Sequence, residues 1–434
     1  MAYLMNDNFT YLQTNLKTKN MSKVRIYFFF SLLALISVSL SLHAQTQKIA
    51  KGQLIKSEQI AVYDQEKLLK IVNEELSQFL NSASMPFEAY QGRLSDPKNK
   101  LTLYKLTYQT AVPEQNNRPT VATGLIAIPD VVKEDMPMIS YQHGTVFGKE
   151  DVPSSIENSM EMKLILAQFG GQGYICMGAD YIGLGDSKEP NSYFAMKATE
   201  AACMDMYTAA NQFLKQKQIK TGSFFTMGWS QGGYNNMVFL RALERSGISV
   251  KASATAAGPT DLNFFINRGL FNPRPFDAIF TPASFSNLLF CFENYYKIPG
   301  LAASVIRPKF YTLAKDFFDF KIGFLEFLTK TTGNINDFVK PEFVEDMKLG
   351  RGKVFQILHE SEAYRWVSAT PLRAYYGMHD EAVPEYVAKL AVEYQSYLGK
   401  QNGETFNAGE KADHRDTYIH ALIEVKPWFD TFLK

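Results

Sequence analysis

Cysteine is scarce: three in 434 residues. None stands in a C-x-x-C spacing, and none is spaced with histidine as a metal ligand would be, which leaves the chain without the common zinc and redox motifs. Cys176 lies in an apolar strand-like run and Cys203 in a helical one, where each reads as a small buried hydrophobe. One disulfide stays open, with no assignment. Excess charge is missing as well. Lys and Arg number 45 against 44 Asp and Glu, a net of +1, so composition points to neither nucleic acid nor a strongly acidic partner. Internal repeats and low-complexity tracts are also lacking.

Long apolar runs are nearly missing too, and the conspicuous one sits near the N-terminus. Lys23 and Arg25 precede an apolar run over 26–42 broken only by serines, and Ala44 follows at a plausible cleavage point. That order reads as a secretory signal. The run is short and serine-rich for a bilayer span, so no stable membrane insertion is expected after cleavage. No cysteine follows it to carry lipid. Residues 1–44 are therefore read as a leader, with Met21 as an alternative start, and the protein as secreted or periplasmic.

What the chain does have is a substantial apolar content, 46 %, and a strand–helix alternation. Residues 45–99 read as a helical extension, with apolar residues Leu68, Leu69, Ile71, Val72, Leu76, Phe79 and Leu80 at a helical period. The period then changes to two, and eight strand candidates follow with helices between them. This predicts an α/β fold: a mostly parallel eight-stranded sheet flanked by helices. The core spans 100–261 and 366–434. Between them, 262–365 breaks the alternation and holds about half of the 33 phenylalanines. It reads as a helical cap with an apolar underside that forms a substrate pocket.

The strongest motif is Gly228–Trp229–Ser230–Gln231–Gly232–Gly233, which follows an apolar strand and opens a helix. A tight strand–turn–helix holds the serine proud of the sheet and places the Gln231 amide at a helix N-terminus, where it can donate to an oxyanion. Thr145, after His143 and Gly144 at another strand end, offers a second backbone donor. Asp380 and His414 each follow later strands, in the chain order Ser, Asp, His.

With Ser140–Tyr141–Gln142–His143–Gly144–Thr145, Asp180–Tyr181–Ile182–Gly183–Leu184–Gly185 and Gly377–Met378–His379–Asp380 beside the elbow, residues 100–434 resemble the α/β-hydrolase superfamily. Within it they resemble secreted lipases and esterases with a helical cap. The resemblance implies Ser230 as nucleophile, His414 as base and Asp380 as orienting acid, with no cofactor or metal. The expected substrate is a small-molecule ester with an apolar part. His420 is the rival base and Asp261 the rival acid. His143 is expected to bond its own loop, and Asp180 to shape its turn. A serine peptidase acting on small peptides is the alternative function; a catalytically silent binding protein is the third.

Overall fold

A computed structural model describes residues 50–131 and 134–433. The predicted leader lies outside these residues. Nine strands form one sheet in the order β1-β2-β3-β5-β4-β6-β7-β8-β9. These are β1 Leu54–Tyr63, β2 Leu101–Val112, β3 Arg118–Pro129, β4 Met136–Gln142, β5 Ile175–Ala179, β6 Thr221–Trp229, β7 Ala252–Ala256, β8 Leu372–Tyr376 and β9 Gly403–Asn407. From β5 to β9 all neighbours are parallel; β1, β2, β3 and β5 pair antiparallel. Eight of the strands match the sequence-based expectation.

The ninth, β1, corrects it, because the helical period holds only from Gln65 onward. Pairing of β1 with β2 shifts register twice, between Leu54 and Lys56 and between Gln59 and Ala61. Each shift breaks the period-two pattern that would have marked the strand. As an edge strand it is mostly exposed, so backbone pairing rather than an apolar face defines it. The final helix, His414–Asp430, also begins four residues earlier than the apolar pattern suggests. Asp413 caps it through a capping box with Asp416, which is polar chemistry that periodicity does not register.

Residues along the central strands alternate between two cores. Met138, Ile175, Met177 and Phe224 face one core with the helices Met196–Gln216 and Gln231–Arg245. Ile139, Cys176 and Phe225 face the other with Met160–Gln168 and His414–Asp430. Each fully buried side chain of this size contributes roughly 1.5–3 kcal/mol. The three cysteines are buried and free. Residues between β7 and β8 form eight helices, among them Leu262–Phe271, Thr281–Tyr295 and Pro308–Phe318, whose buried aromatic and aliphatic side chains join the first core. No helix among the described residues is long and apolar enough to cross a membrane.

Candidate active site

Close packing at the end of β6 fixes the elbow. A Cβ on Gly232 would stand 1.9 Å from the Gln142 carbonyl oxygen, and one on Gly228 would stand 2.0 Å from the Gly232 oxygen. Both positions therefore need glycine. Between them Ser230 adopts φ 56° and ψ −124°, a conformation that costs on the order of 1–3 kcal/mol and persists only because its surroundings over-determine it. The Ser230 amide donates to the Ala256 carbonyl at 2.9 Å, which ties the turn to β7. Gln231 opens the following fifteen-residue helix.

Asp380 and His414 meet although 34 residues separate them. His414 Nδ1 lies 2.9 and 3.1 Å from the two carboxylate oxygens. Asp380 is fully buried, and its Oδ1 accepts the amides of Ala382 and Val383 at 2.9 and 2.7 Å. Burial opposes charge on the His414 ring, but the adjacent Asp380 carboxylate outweighs it and holds the imidazole pKa above its ordinary value. Trp229 links this pair to the elbow. Its ring centroid lies 4.9 Å from that of His414, and its Nε1 donates to the His414 carbonyl at 3.0 Å. Ser230, Gln231 and Thr145 line one cavity together with Ala382 and Val383 from the Asp380 loop. The five residues singled out in the sequence thus gather at the carboxyl ends of the parallel strands, where open α/β sheets bind their ligands.

The other candidates have structural partners. His143 is buried, with Nδ1 2.8 Å from the Gly144 carbonyl and its ring stacked on Tyr181. Burial pushes its pKa down to about 4. Asp180 accepts from the Thr123 hydroxyl and the Ser154 amide at 2.6 and 2.9 Å. Asp261 caps the helix after β7 by accepting from the Phe264 amide, and its other oxygen meets the Tyr364 hydroxyl. His420 sits one turn and a half into the last helix, edge-on to Tyr375.

Several site neighbours escaped the sequence analysis. Glu161 accepts from the Gly144 amide at 2.8 Å and the Tyr141 hydroxyl at 2.6 Å, next to the Thr145 loop. Enclosure of its carboxylate raises its pKa to about 7. Arg274, in the helical insertion, donates to the Asp380 carbonyl at 2.7 Å and is itself held by Asp277. The Glu381 carboxylate accepts the His414 amide at 3.1 Å. Below the histidine, Asp416 accepts from the Met85 amide and the Tyr90 hydroxyl of the N-terminal segment. Apart from the Arg274–Asp277 pair, these contacts join separate segments of the chain and carry no local signal; the capping pattern at Asp413 and Asp416 was open to detection.

No protein-family profile and no curated protein sequence matches the chain. Solved structures do. A Legionella pneumophila protein provisionally described as a hydrolase superposes with a TM-score of 0.77 at 22 % identity, over 87 % of this chain and 98 % of that one. The rice cell wall degrading esterase LipA from Xanthomonas oryzae gives 0.75 at 20 % identity, over 89 % and 100 %. Candida antarctica lipase A in its closed state gives 0.63 at 16 % identity, over 89 % and 84 %. With its nine-stranded, mostly parallel sheet and these likenesses, the chain has the α/β-hydrolase fold.

Proposed function

We propose that the protein is an exported serine hydrolase that cleaves carboxylic esters through an acyl-enzyme. The observation that carries this reading is the buried Asp380–His414 pair, joined through Trp229 to a strained serine at the elbow. A serine hydroxyl needs an imidazole to take its proton, and the imidazole needs a carboxylate on its far nitrogen to fix the tautomer. With Asp380 on Nδ1, Nε2 is the free base.

Ser230 Oγ attacks the ester carbonyl as His414 Nε2 removes its proton. The tetrahedral oxyanion takes hydrogen bonds from the Gln231 and Thr145 amides. Collapse breaks the bond to the alcohol oxygen, which receives the proton from His414. Water, activated by the same imidazole, then attacks the acyl-serine and releases the acid. Residues 262–365 act as a cap over this site, since Phe265, Ile266, Phe285 and Leu288 share a cavity with Ser230. The basic and apolar leader supports export.

The test uses purified protein with an aryl ester, a peptide amide and a fluorophosphonate probe. Ester turnover well above amide turnover, with labelling of Ser230, is expected. Faster amide turnover would move the reading to a peptidase. Absence of labelling would leave only a binding protein.

A further inference from the structure

Two cavities meet at Thr145. One, of about 60 Å³, runs from Ser230 and Gln231 under the insertion to Ile266, Phe285 and Leu288. The other, of about 390 Å³, is lined by Phe79, Phe147, Met160, Glu161 and Phe324. Its exposed Asp151 and Asn158 bring it to the surface.

The two differ in their relation to the imidazole. Phe79, in the larger cavity, packs edge-on against Trp229 with centroids 6.0 Å apart, and Trp229 in turn lies against His414. The Phe79 carbonyl accepts from Arg415, the residue after the histidine. The smaller cavity holds Ser230 and Gln231, touches the Asp380 loop at Ala382 and Val383, and extends beneath the insertion. In ester cleavage the departing alcohol oxygen must take the imidazole proton, while the acyl carbon stays on the serine.

We infer that the small cavity holds the acyl chain and the large one the alcohol, so that the substrates are esters of short acyl groups with bulky, flat-faced alcohols. This rests on the serine-hydrolase reading above. Size decides the first half. A cavity that binds benzene has about 150 Å³, so one of 60 Å³ takes an acyl tail of only about two to four carbons. Phe285 and Leu288 are each 2 % exposed and belong to the core, so the slot does not widen without disturbing it. Surface chemistry decides the second half. Phe147 and Phe324 stack face to face at 4.1 Å, and with Phe79 they offer aromatic surface to a flat apolar group. Asp151, Asn158 and Ser159 supply polar contacts nearby.

Two ester series test this on the intact protein. In 4-nitrophenyl esters from acetyl to dodecanoyl, kcat/KM should fall at least tenfold between butanoyl and octanoyl. In phenyl, 2-naphthyl and 4-phenylphenyl acetates, whose leaving groups have similar acidity, it should stay within threefold or rise. Ile266→Ala, at a half-buried wall position, should extend the accepted chain length and keep the rank order of the alcohol series. Ser284→Leu, filling the slot from the opposite helix, should confine turnover to acetyl. Phe324→Ala should raise KM for the naphthyl ester alone. A wild-type optimum at octanoyl or longer would overturn the inference, as would exchange of the effects of Ile266→Ala and Phe324→Ala. Long-chain preference with normal fluorophosphonate labelling removes this inference alone; no ester turnover and no labelling removes the serine-hydrolase reading with it.

Discussion

At the elbow, a single methyl on Gly232 would collide with the Gln142 carbonyl, and the strained Ser230 is pinned by its own turn and the neighbouring strand. The Asp380 and His414 loops also approach closely, where a Cβ on Gly377 would stand 2.3 Å from the Ala412 carbonyl oxygen. But neither Asp380 nor His414 carries the positive φ of Ser230, and bonds from distant segments hold the rest of each loop. The Asp380 loop is held from the insertion, by Arg274 on the Asp380 carbonyl and by the Ala278 amide on the Glu381 carbonyl. The start of the histidine helix is held from the N-terminal segment, through Met85 and Tyr90 on Asp416. Short-range packing makes the nucleophile; long-range hydrogen bonds aim its partners. The elbow should therefore fail by unfolding when overpacked, and the acid–base loops should fail by misalignment while the fold survives.

The largest expected effect is chemical. Ser230→Ala and His414→Ala should each cut kcat/KM by about 10⁴-fold or more, and the double variant should be little worse, because the members act as a unit. Additive losses measured in steady-state kinetics would break the proposed pairing. Next comes the steric lock. Gly232→Ala should destabilise the fold by about 3 kcal/mol or more, read as a lower denaturant midpoint. A soluble variant of unchanged stability would remove the argument from close packing.

Misalignment comes third. Arg274→Ala and Asp416→Asn should lower kcat by about 10- to 100-fold with little change in far-UV circular dichroism. If either unfolds the protein instead, the contrast between the two regions is lost.

Smaller effects follow from titration. The rate should fall as pH drops through a pKa above the ordinary histidine value, since only the neutral His414 ring accepts the proton. Glu161 has its folded pKa raised to about 7 from 4.5, so the proton it binds on folding stabilises below the unfolded value, and this contribution is lost as pH rises through about 7. Glu161→Gln should accordingly gain melting temperature relative to wild type between pH 5 and 8, while kcat falls by less than about tenfold because the amide oxygen still accepts from Gly144. A constant difference in melting temperature across that range would count against the enclosed carboxylate. Smallest of all, His420→Ala should leave kcat/KM within about twofold, since its ring packs on Tyr375 away from the elbow.

Much of this was legible beforehand for a physical reason. Period-two runs marked β2 and β3, short runs bounded by turns marked the later strands, and the glycines around Ser230 marked the elbow, because all are signals carried by adjacent residues. Strand β1 was missed because its two register shifts erase alternation. The last helix starts ahead of its apolar pattern because a polar capping box sets it. Asp380 and His414 could be singled out by their positions after strands, but not what aims them.

Sequence by itself determined the alternation of strands and helices, the tight turn at Ser230 and the apolar character of the insertion. Those depend on steric and hydrophobic preferences that neighbouring residues express alone. Tertiary structure decided that Asp380 meets His414, that Glu161 lies under the Thr145 loop, and that Arg274 from the insertion and Tyr90 from the N-terminal segment reach the loops. Each of these is a hydrogen bond between residues brought together only when the sheet closes and two cores form around it, and no local pattern encodes which distant donor will arrive.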